Sequence, residues 1–370
     1  MLTQWVKTLL FNFKAVINHC GNISQQFDVL RGCRQGCPLS PTLFVLSVEI
    51  LAHKLRQDAH LLPFNFNGND NGNGNGNNAR NGNDNMRHII DLYADDSTLY
   101  LHPTNDNLRR ALSIIKSFYE LSLLKINVSK TKAVWFGREH NSNIRFCEED
   151  NLDWDTSFKL LGITFDNNLE KMDENFFEKI KEMEKVLNSW LYRYLTPYGK
   201  ITVIKSLALS KISHLALVLP SLNANMIKNI EKILFKFLWN GKSEKVARKI
   251  TYLPTNKGGL GMVDVKTFWA SLKFSWIRRI STSDSFWVKI LNKELSDLQH
   301  DPNNILFQGP SELQHISKKI KNPFWKCVID GVGSMITATS YCMPSKFFLL
   351  PIFRNPLFKI GNRAIPLNIK

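Results

Sequence analysis

Two adjacent carboxylates, Asp95 and Asp96, are the side chains of this sequence best suited to chemistry. They stand between two apolar runs, 89–94 and 97–101, a pattern that predicts two short strands joined by a tight hairpin with both aspartates at its tip. Neighbouring carboxylates repel each other and add little stability, but hard oxygen ligands of this kind suit a Mg²⁺ that also binds substrate phosphates. Taken alone, the pattern favours an ordinary turn, because Asp is a common turn residue.

A basic loop rich in Gly and Pro, residues 31–41, is the second candidate site. It runs into an apolar helical stripe, with Ser40 in position to cap the helix. Backbone N–H groups of a glycine loop and of a helix N-terminus can hold phosphates, and Arg34 and Gln35 would add side-chain donors. The alternative is a plain junction between a loop and a helix.

The elements around these residues predict an α+β fold. Helix, hairpin, helix and further strands follow one another up to residue 165, an order typical of helices packed on one face of an antiparallel sheet. An Asn/Gly tract at 65–85 lies between the helix and the hairpin, and its composition predicts a disordered insertion because it cannot bury a core.

Beyond residue 165 the periodicity is helical, with a break at Thr196–Gly199. The apolar stripe of the first of these helices is expected to comprise Phe177, Ile180, Met183, Leu187, Trp190 and Tyr194. A later helix carries Lys228, Lys232 and Lys236 at intervals of four. Like charges at that spacing repel each other, so the row fits either a solvated face or a face that lies along a phosphate backbone.

The remainder, 246–370, is basic and contains Trp269, Trp276, Trp287 and Trp325 among many lysines. Aromatic rings interleaved with cations suit base stacking on single-stranded nucleic acid. The alternative is that these rings belong to a core, where most Trp residues lie.

Bulk composition limits the class of protein. The 370 residues include 48 Lys and Arg against 32 Asp and Glu, a formal charge of +16, which favours a polyanionic partner such as nucleic acid, or an anionic membrane surface. Six scattered cysteines without a CxxC pair indicate neither a disulfide framework nor a zinc site. With no signal peptide and no apolar stretch of membrane-spanning length, the expected location is intracellular, in the cytoplasm or the nucleus. The sequence identifies no protein partner.

Several motifs in one order resemble the reverse transcriptases of LINE-type (non-LTR) retrotransposons. Residues 34–41 (RQGCPLSP) resemble the motif that lines the incoming nucleotide and the template, and 93–96 (YADD) resemble the catalytic hairpin. Residues 124–132 are similar to the following loop motif and 160–163 (LLGI) to the primer-grip hairpin. The likeness continues through 195–200 (LTPYGK) and 258–261 (GGLG), and the first two motifs together are highly specific.

The resemblance implies RNA-directed DNA synthesis from an RNA template, a DNA primer and deoxynucleoside triphosphates. Asp95 would ligate the Mg²⁺ ions of a two-metal nucleotidyl transfer, and Asp96 would be its less essential neighbour. Arg34, Gln35 and Gly36 would border nucleotide and template, with Lys132 near the nucleotide phosphates. The implied domains are a partial palm over 1–165, a helical thumb over 166–245 and a mostly helical, basic, Trp-rich region over 246–370.

One departure from the family concerns the metal site. In these enzymes a strand with the first catalytic aspartate precedes a helix similar to the one that contains Trp5 in this chain. Residues 1–30 contain no matching aspartate motif, since their one Asp, Asp28, stands in an unrelated context. We therefore expect a metal site that is incomplete and a chain that is inactive alone. A non-catalytic nucleic-acid-binding remnant, using the lysine row and the Trp-rich region, and a decayed element copy are the alternatives.

Overall fold

The structure is a computed structural model that describes residues 2–10, 14–29, 37–65, 87–147, 150–220, 222–301, 305, 308–339, 359–360 and 363–364. These residues divide into two compact units. The first unit takes its described residues from Met1–Asn71, Arg87–Thr131 and Arg145–Leu152. The second takes them from Lys132–Ile144 and Asp153–Lys370.

Helices and short antiparallel strand pairs make up the first unit. Its elements are α1 (Leu2–Leu10), β1 (Lys14–Ala15), β2 (Asn18–His19), β3 (Asn22–Ile23), β4 (Phe27–Asp28), α2 (Ser40–Gln57), β5 (Phe64–Asn65), β6 (Arg87–His88), β7 (Ile90–Tyr93), β8 (Asp96–Leu99) and α3 (Asn105–Ser122). The pairs are β1 with β4, β2 with β3, β5 with β6 and β7 with β8. The α+β class is confirmed, but each sheet in the described part has two strands instead of forming one continuous sheet.

The core of the first unit lies on the inner face of the β7–β8 hairpin. Ile90, Leu92 and Leu99 point to this side, where Leu55 of α2 and Ala111 of α3 pack against them. Two helices therefore cover one face of the hairpin, as the α+β prediction requires. The opposite face stays open.

The helix that follows the glycine loop begins one residue earlier than a Ser40 cap would require. Ser40 is the first helical residue, Leu39 occupies the cap position, and no side chain caps the helix. The Ser40 hydroxyl is buried without a hydrogen-bond partner. The predicted cap is therefore wrong: the helix starts at Ser40, so Pro41 is its second residue and Leu39, which has no side-chain oxygen, occupies the cap position.

The second unit is mainly helical. Its elements are β9 (Lys132–Ala133), β10 (Asp153–Trp154), β11 (Ser157–Leu160), β12 (Ile163–Asp166), α4 (Met172–Leu191), α5 (Pro197–Val203), α6 (Leu209–Val218), α7 (Ala224–Leu238), α8 (Arg248–Tyr252), α9 (Val265–Arg278), α10 (Phe286–Asp297), α11 (Pro310–Lys319), α12 (Pro323–Thr339), β13 (Lys359–Ile360) and β14 (Arg363–Ala364). β9 and β10 pair in parallel, while β11–β12 and β13–β14 are antiparallel.

The β11–β12 hairpin is attached to the helices. Its turn residues Leu161 and Gly162 both have positive φ, 48° and 81°, the backbone form of a tight two-residue hairpin turn. Asn175 of α4 clamps β12, since its side chain accepts from the Thr164 N–H and donates to the Thr164 carbonyl, both at 2.8 Å. Ile163 is buried in the same core as α4.

The predicted stripe of α4 is right in its middle and wrong at its ends. Ile180, Met183 and Leu187 are buried, but Phe176 takes the inward position that was assigned to Phe177, which is exposed. Tyr194 is fully exposed, because α4 ends at Leu191 and the 3.6-residue period does not continue beyond it.

One continuous helical stretch, Pro197–Val218, is long and apolar enough to cross a membrane by length and composition. It comprises α5, a single π turn (Ile204–Ala208) and α6. Its most apolar residues are buried in the core of the second unit, among them Ile201, Ile204, Ile212 and Leu215. That burial is typical of the central helix of a folded domain.

Two fully buried lysines hold this core together. Lys200 Nζ donates to the carbonyls of Phe237 at 3.1 Å and Leu238 at 3.3 Å and to the Asn240 side chain, at the C-terminal end of α7. Lys273 Nζ donates to the carbonyl of Leu217 at 3.3 Å and to that of Leu219, at the C-terminal end of α6. Each ammonium therefore satisfies carbonyls that have no partner within their own helix.

The four C-terminal tryptophans are core residues, which corrects the stacking interpretation. Trp269 and Trp325 are buried, and Trp276 and Trp287 pack around Trp325 with ring centroids 6.1 and 5.8 Å from it. Apolar side chains such as Leu291 and Val328 surround this group. The rings are therefore not available to bases, because burying their large apolar area within the chain is more favourable than exposing it.

Close packing of α12 on α9 depends on Gly331. A Cβ at this position would lie 2.9 Å from Lys273 Cβ and 3.1 Å from the Ala270 carbonyl oxygen. We expect Gly331→Ala to lower the free energy of unfolding by about 1–3 kcal/mol, since two helix backbones would have to separate.

Gly333→Ala is the matched control, because the nearest atom to its Cβ would be Leu313 Cβ at 3.9 Å. That variant should be neutral or up to about 1 kcal/mol more stable through its helix propensity. Urea denaturation of both variants measures the difference, and equal effects would contradict the packing argument.

Lys273 should make stability depend on pH. Burial lowers the pKa of Lys273 from its ordinary 10.5 to about 8. Below pH 8 both states carry the proton, whereas between about 8 and 10.5 only the unfolded chain does, so stability rises with pH in this window. We expect the difference in unfolding free energy between wild type and Lys273→Met to shift by about 2 kcal/mol in favour of wild type between pH 8 and 10. Exposed Lys318→Met should show no such shift, and a flat difference for Lys273→Met would contradict the buried ammonium.

Candidate active site

The β7–β8 hairpin places both predicted carboxylates at its tip. The register pairs Ile90 with Leu99 and Tyr93 with Asp96, which leaves Ala94 and Asp95 as a two-residue turn. Asp95 and Asp96 are exposed. Neither carboxylate makes a hydrogen bond or an ion pair within the described part of the chain. The predicted hairpin is therefore confirmed, and its tip presents two free carboxylates to solvent.

The turn itself stores backbone strain. Ala94 has φ of +52°, in the left-handed region that costs a residue with a Cβ roughly 1–2 kcal/mol. Strain of this kind persists where the surrounding structure overdetermines the turn, and here the ladder of four residue pairs and the packed inner face do so. The orientation of Asp95 is therefore fixed by the hairpin and not by its own contacts.

A third carboxylate of the hairpin, that of Asp91, makes hydrogen bonds with neighbouring side chains. His88 Nε2 lies 2.8 Å from Asp91 Oδ1, and the Tyr100 hydroxyl donates to the same carboxylate. The hydrogen bond with His88 lowers the pKa of Asp91, and burial raises the pKa of Tyr100. Asp91 shares the exposed face of β7 with Tyr93, but its carboxylate is already hydrogen-bonded. The hairpin carboxylates without a hydrogen-bond partner among the described residues are consequently the two at the tip.

Asn107 of α3 fixes the strands at the base of the hairpin. Its side chain accepts from the Leu62 N–H at 2.7 Å and donates to the carbonyls of Leu62 at 2.7 Å and His102 at 3.1 Å. Thr104 caps the same helix by accepting from the Asn107 N–H. This buried amide ties the segment before β5 and the segment after β8 to one helix end, so the tip rests on a rigid base.

The chemistry of the tip fits a divalent ion only in part. Exposed carboxylates are suitable Mg²⁺ ligands, and this ion usually takes one or two of them together with substrate phosphates. In the described ranges, however, no group of three or more His, Cys, Asp or Glu side chains converges. The tip alone supplies ligands from two adjacent residues, which does not define a separation between two ions.

The other predicted nucleotide-side residues belong to other parts of the chain. Arg34, Gln35 and Gly36 are outside the described residues. Lys132 belongs to the second unit, where it makes an ion pair with Asp155 and lies 3.9 Å from Asp153 Oδ2. The Asp155 carboxylate raises the pKa of Lys132. Lys132 is thus a paired cation at the start of β9.

The lysine row of α7 is free. Lys228, Lys232 and Lys236 are all exposed, and none makes an ion pair within the residues that the structure describes. Glu231, on the same helix, pairs instead with Arg248, whose Nη1 lies 3.3 Å from its Oε2. The inner side of α7, with Ile230 and other apolar residues, faces the core. The outer side is therefore a row of uncompensated positive charge.

Comparison with known proteins agrees with this geometry. Residues 1–165 match the family described as reverse transcriptase (RNA-dependent DNA polymerase). Over this segment the chain is similar to reverse transcriptases. It is 25% identical over 283 residues to a Xenopus laevis protein named "Transposon TX1 uncharacterized 149 kDa protein". The matched part is 76% of this chain and 20% of that protein, so the chain spans about a fifth of the length of the curated relative it matches.

Sequence reasoning missed the groups that support the β7–β8 hairpin. His88, Asp91 and Tyr100 come together only when β7 and β8 pair and their base is buried, and Asn107 reads as an ordinary polar helix residue. One signal was available: Asp91 stands at a strand position with His three residues before it. That spacing is compatible with an ion pair, although it does not require one.

Removing tip carboxylates should separate metal binding from stability. We expect Asp95→Ala and Asp96→Ala to change the unfolding free energy by no more than about 0.5 kcal/mol, because both side chains are exposed and unpaired. Each should weaken Mn²⁺ binding, measured by electron paramagnetic resonance. Asp91→Ala is the matched control on the same hairpin, and we expect it to cost about 1 kcal/mol while Mn²⁺ binding is retained. A loss of stability for Asp95→Ala as large as for Asp91→Ala would show that Asp95 is a structural turn residue.

Proposed function

We propose that Asp95 and Asp96 are the metal-binding carboxylates of RNA-templated DNA synthesis. The observation that carries the proposal is the contrast within one hairpin of the segment that matches reverse transcriptases: the Asp91 carboxylate is hydrogen-bonded to His88 and Tyr100, whereas the two tip carboxylates are exposed and have no partner among the described residues. A structural turn would not need two uncompensated neighbouring charges. A site for phosphate-bound Mg²⁺ would.

The work of the chain in this reaction is positioning and charge neutralisation. A divalent ion at the tip supplies Lewis-acid stabilisation of the charge on the primer 3′-oxygen and the triphosphate. Phosphoryl transfer needs no nucleophilic side chain, so carboxylates and cations suffice. Asp95 sits in a strained turn that fixes its direction, and Asp96 begins the paired strand. Lys132 would exchange Asp155 for the phosphates of the nucleotide.

The remaining assignments extend the proposal along the chain. Arg34, Gln35 and Gly36 would line the nucleotide and the template, with an RNA template, a DNA primer and deoxynucleoside triphosphates as substrates. Residues 1–165 would be a partial palm, 166–245 the thumb and 246–370 a C-terminal helical region. The proposed location of this activity is intracellular, in the cytoplasm or the nucleus.

Primer extension on a primed RNA template with Mg²⁺ tests the proposal. We expect no extension by this chain alone, because the tip supplies ligands from two adjacent residues only. An N-terminal extension with the strand that bears the further aspartate of LINE-type reverse transcriptases should restore synthesis. Asp95→Ala in the extended protein should abolish it, while Asp91→Asn should retain most of it.

Two outcomes would contradict parts of this proposal. Extension by the 370-residue chain, abolished by Asp95→Ala, would support the site and refute the inactivity of the chain alone. Extension by either protein that survives Asp95→Ala would refute the site itself.

The second candidate function is nucleic-acid binding without catalysis, which the free lysine row of α7 favours. Lys228 to Lys236 spans eight residues of helix, about 12 Å, long enough to meet more than one phosphate of a backbone. Binding of this kind depends on charge and not on the tip carboxylates.

Charge reversal of the row tests this second candidate. We expect the triple variant Lys228→Glu, Lys232→Glu, Lys236→Glu to bind a primed duplex more weakly, with the slope of log affinity against log salt smaller by about 3. The variant Lys318→Glu, Lys319→Glu, Lys326→Glu makes the same change in net charge on α11 and α12 and serves as the control. Equal losses for the two variants would show that net charge, not the α7 face, governs binding. Fluorescence anisotropy at several salt concentrations measures both quantities.

A further inference from the structure

The turn between α4 and α5 displays aromatic rings that the core does not use. Tyr192 and Tyr194 are 91% and 108% exposed, and Tyr198 in the first turn of α5 is 54% exposed. No other ring contacts Tyr192 or Tyr194 within the described residues. An aromatic side chain in a folded protein usually buries most of its area, so three exposed rings within seven residues are a distinct surface feature. We call Tyr192, Arg193 and Tyr194 the tyrosine turn.

The tyrosine turn is held rigidly although its rings are exposed. The Arg193 N–H donates to the Trp190 carbonyl at 3.2 Å, and the Leu195 N–H donates to the Arg193 carbonyl at 2.8 Å. The Arg193 guanidinium lies over the Trp190 ring, 4.2 Å from its centroid. Thr196 then caps α5 by accepting from the Gly199 N–H. Both ends of the turn are fixed, so the rings are presented by a preorganised backbone.

Positive charge lies next to the turn. Leu191, the last residue of α4, lines the same small cleft as Lys236, the last lysine of the α7 row. Lys200, one turn into α5, is bonded to the carbonyls at the end of α7. The tyrosine turn, which begins one residue after Leu191, therefore lies near the Lys236 end of the lysine row. Glu184 is the acidic side chain that also lines the cleft.

We propose that the tyrosine turn is a stacking platform for an unpaired stretch of nucleic acid whose phosphates continue along the α7 lysine row. Exposed rings beside a row of cations are the two components of single-strand binding, because bases stack on aromatic faces while cations follow the backbone. A double helix keeps its base faces inside the stack and offers nothing to the rings. This inference rests on the proposed nucleic-acid-binding function and specifies which form of nucleic acid the surface takes.

Binding of an unstructured 20-nucleotide poly(dT) or poly(rU) strand, compared with a blunt 20-base-pair duplex, tests the platform. We expect Tyr192→Ala/Tyr194→Ala to bind the single strands about 10- to 100-fold more weakly, with the same salt slope and unchanged duplex affinity. Tyr192→Phe/Tyr194→Phe should retain most of the single-strand affinity, because stacking uses the ring. Tyr119→Ala, an exposed tyrosine of α3 in the first unit, is the matched control and should change nothing. Thermal unfolding checks that all variants fold.

The outcomes separate this inference from the function on which it rests. Wild type that binds neither form at low salt overturns both. Wild type that binds both forms, with single-strand affinity unaffected by the alanine pair, overturns the platform and leaves the lysine row standing. If the alanine pair loses affinity for duplex and single strand equally, the platform is also overturned. The same holds if the alanine pair loses only its affinity for vesicles of 30% phosphatidylserine in phosphatidylcholine, because that result would identify a membrane surface as the occupant.

Discussion

The second unit depends on ammonium groups placed where helices end. A helix leaves its last four carbonyls without partners and concentrates partial negative charge there, so burying such an end is unfavourable unless a donor reaches it. Lys200 and Lys273 are those donors, and each comes from a different helix than the one it caps. The caps therefore connect α5 to α7 and α9 to α6 with a directionality that apolar contacts lack.

Lysine has opposite roles on the two sides of α7. Inside, Lys200 is surrounded by backbone oxygens and its pKa is lowered by burial. Outside, Lys228, Lys232 and Lys236 are exposed and pair with no carboxylate of the described residues. A buried cation without partners would be strongly destabilising, and an exposed row of like charges is mildly so. The helix accepts the mild cost on its outer face, as expected for a surface that meets an anion.

The sequence pattern predicted those elements of the protein that depend on interactions between residues close together in the sequence. Alternating apolar residues around two aspartates specify the β7–β8 hairpin, because strand period and turn chemistry both act over a few residues. The helical stripe of α4 was predicted through Leu187 and failed at Tyr194, where the helix had already ended. Burial of Lys200 and Lys273 could not be predicted, since composition treats every lysine as a surface residue and only the packed helices reveal the carbonyls. The same limit applies to the tryptophans, whose neighbours in space are set by packing between helices that are far apart in sequence.

The geometry of the hairpin tip does not depend on a bound ligand. Its backbone is fixed by pairing, by the inner core and by Asn107, while its carboxylates have no partner among the residues that the structure describes. Such a site keeps its geometry whether or not its ligands are present. The likeness to reverse transcriptases and the local geometry can therefore be read from this chain without any bound ligand.

The pairing of the strands that flank the Asn/Gly tract makes the tract a suitable site for inserting another domain. β5 and β6 pair antiparallel, Phe64 with His88 and Asn65 with Arg87, so the two ends of the tract leave the fold side by side. Closure of a loop between fixed neighbouring ends depends only weakly on its length. The position is accordingly suited to domain insertion: a fluorescent protein or a ligand-binding domain with adjacent termini can be joined there without separating β5 from β6.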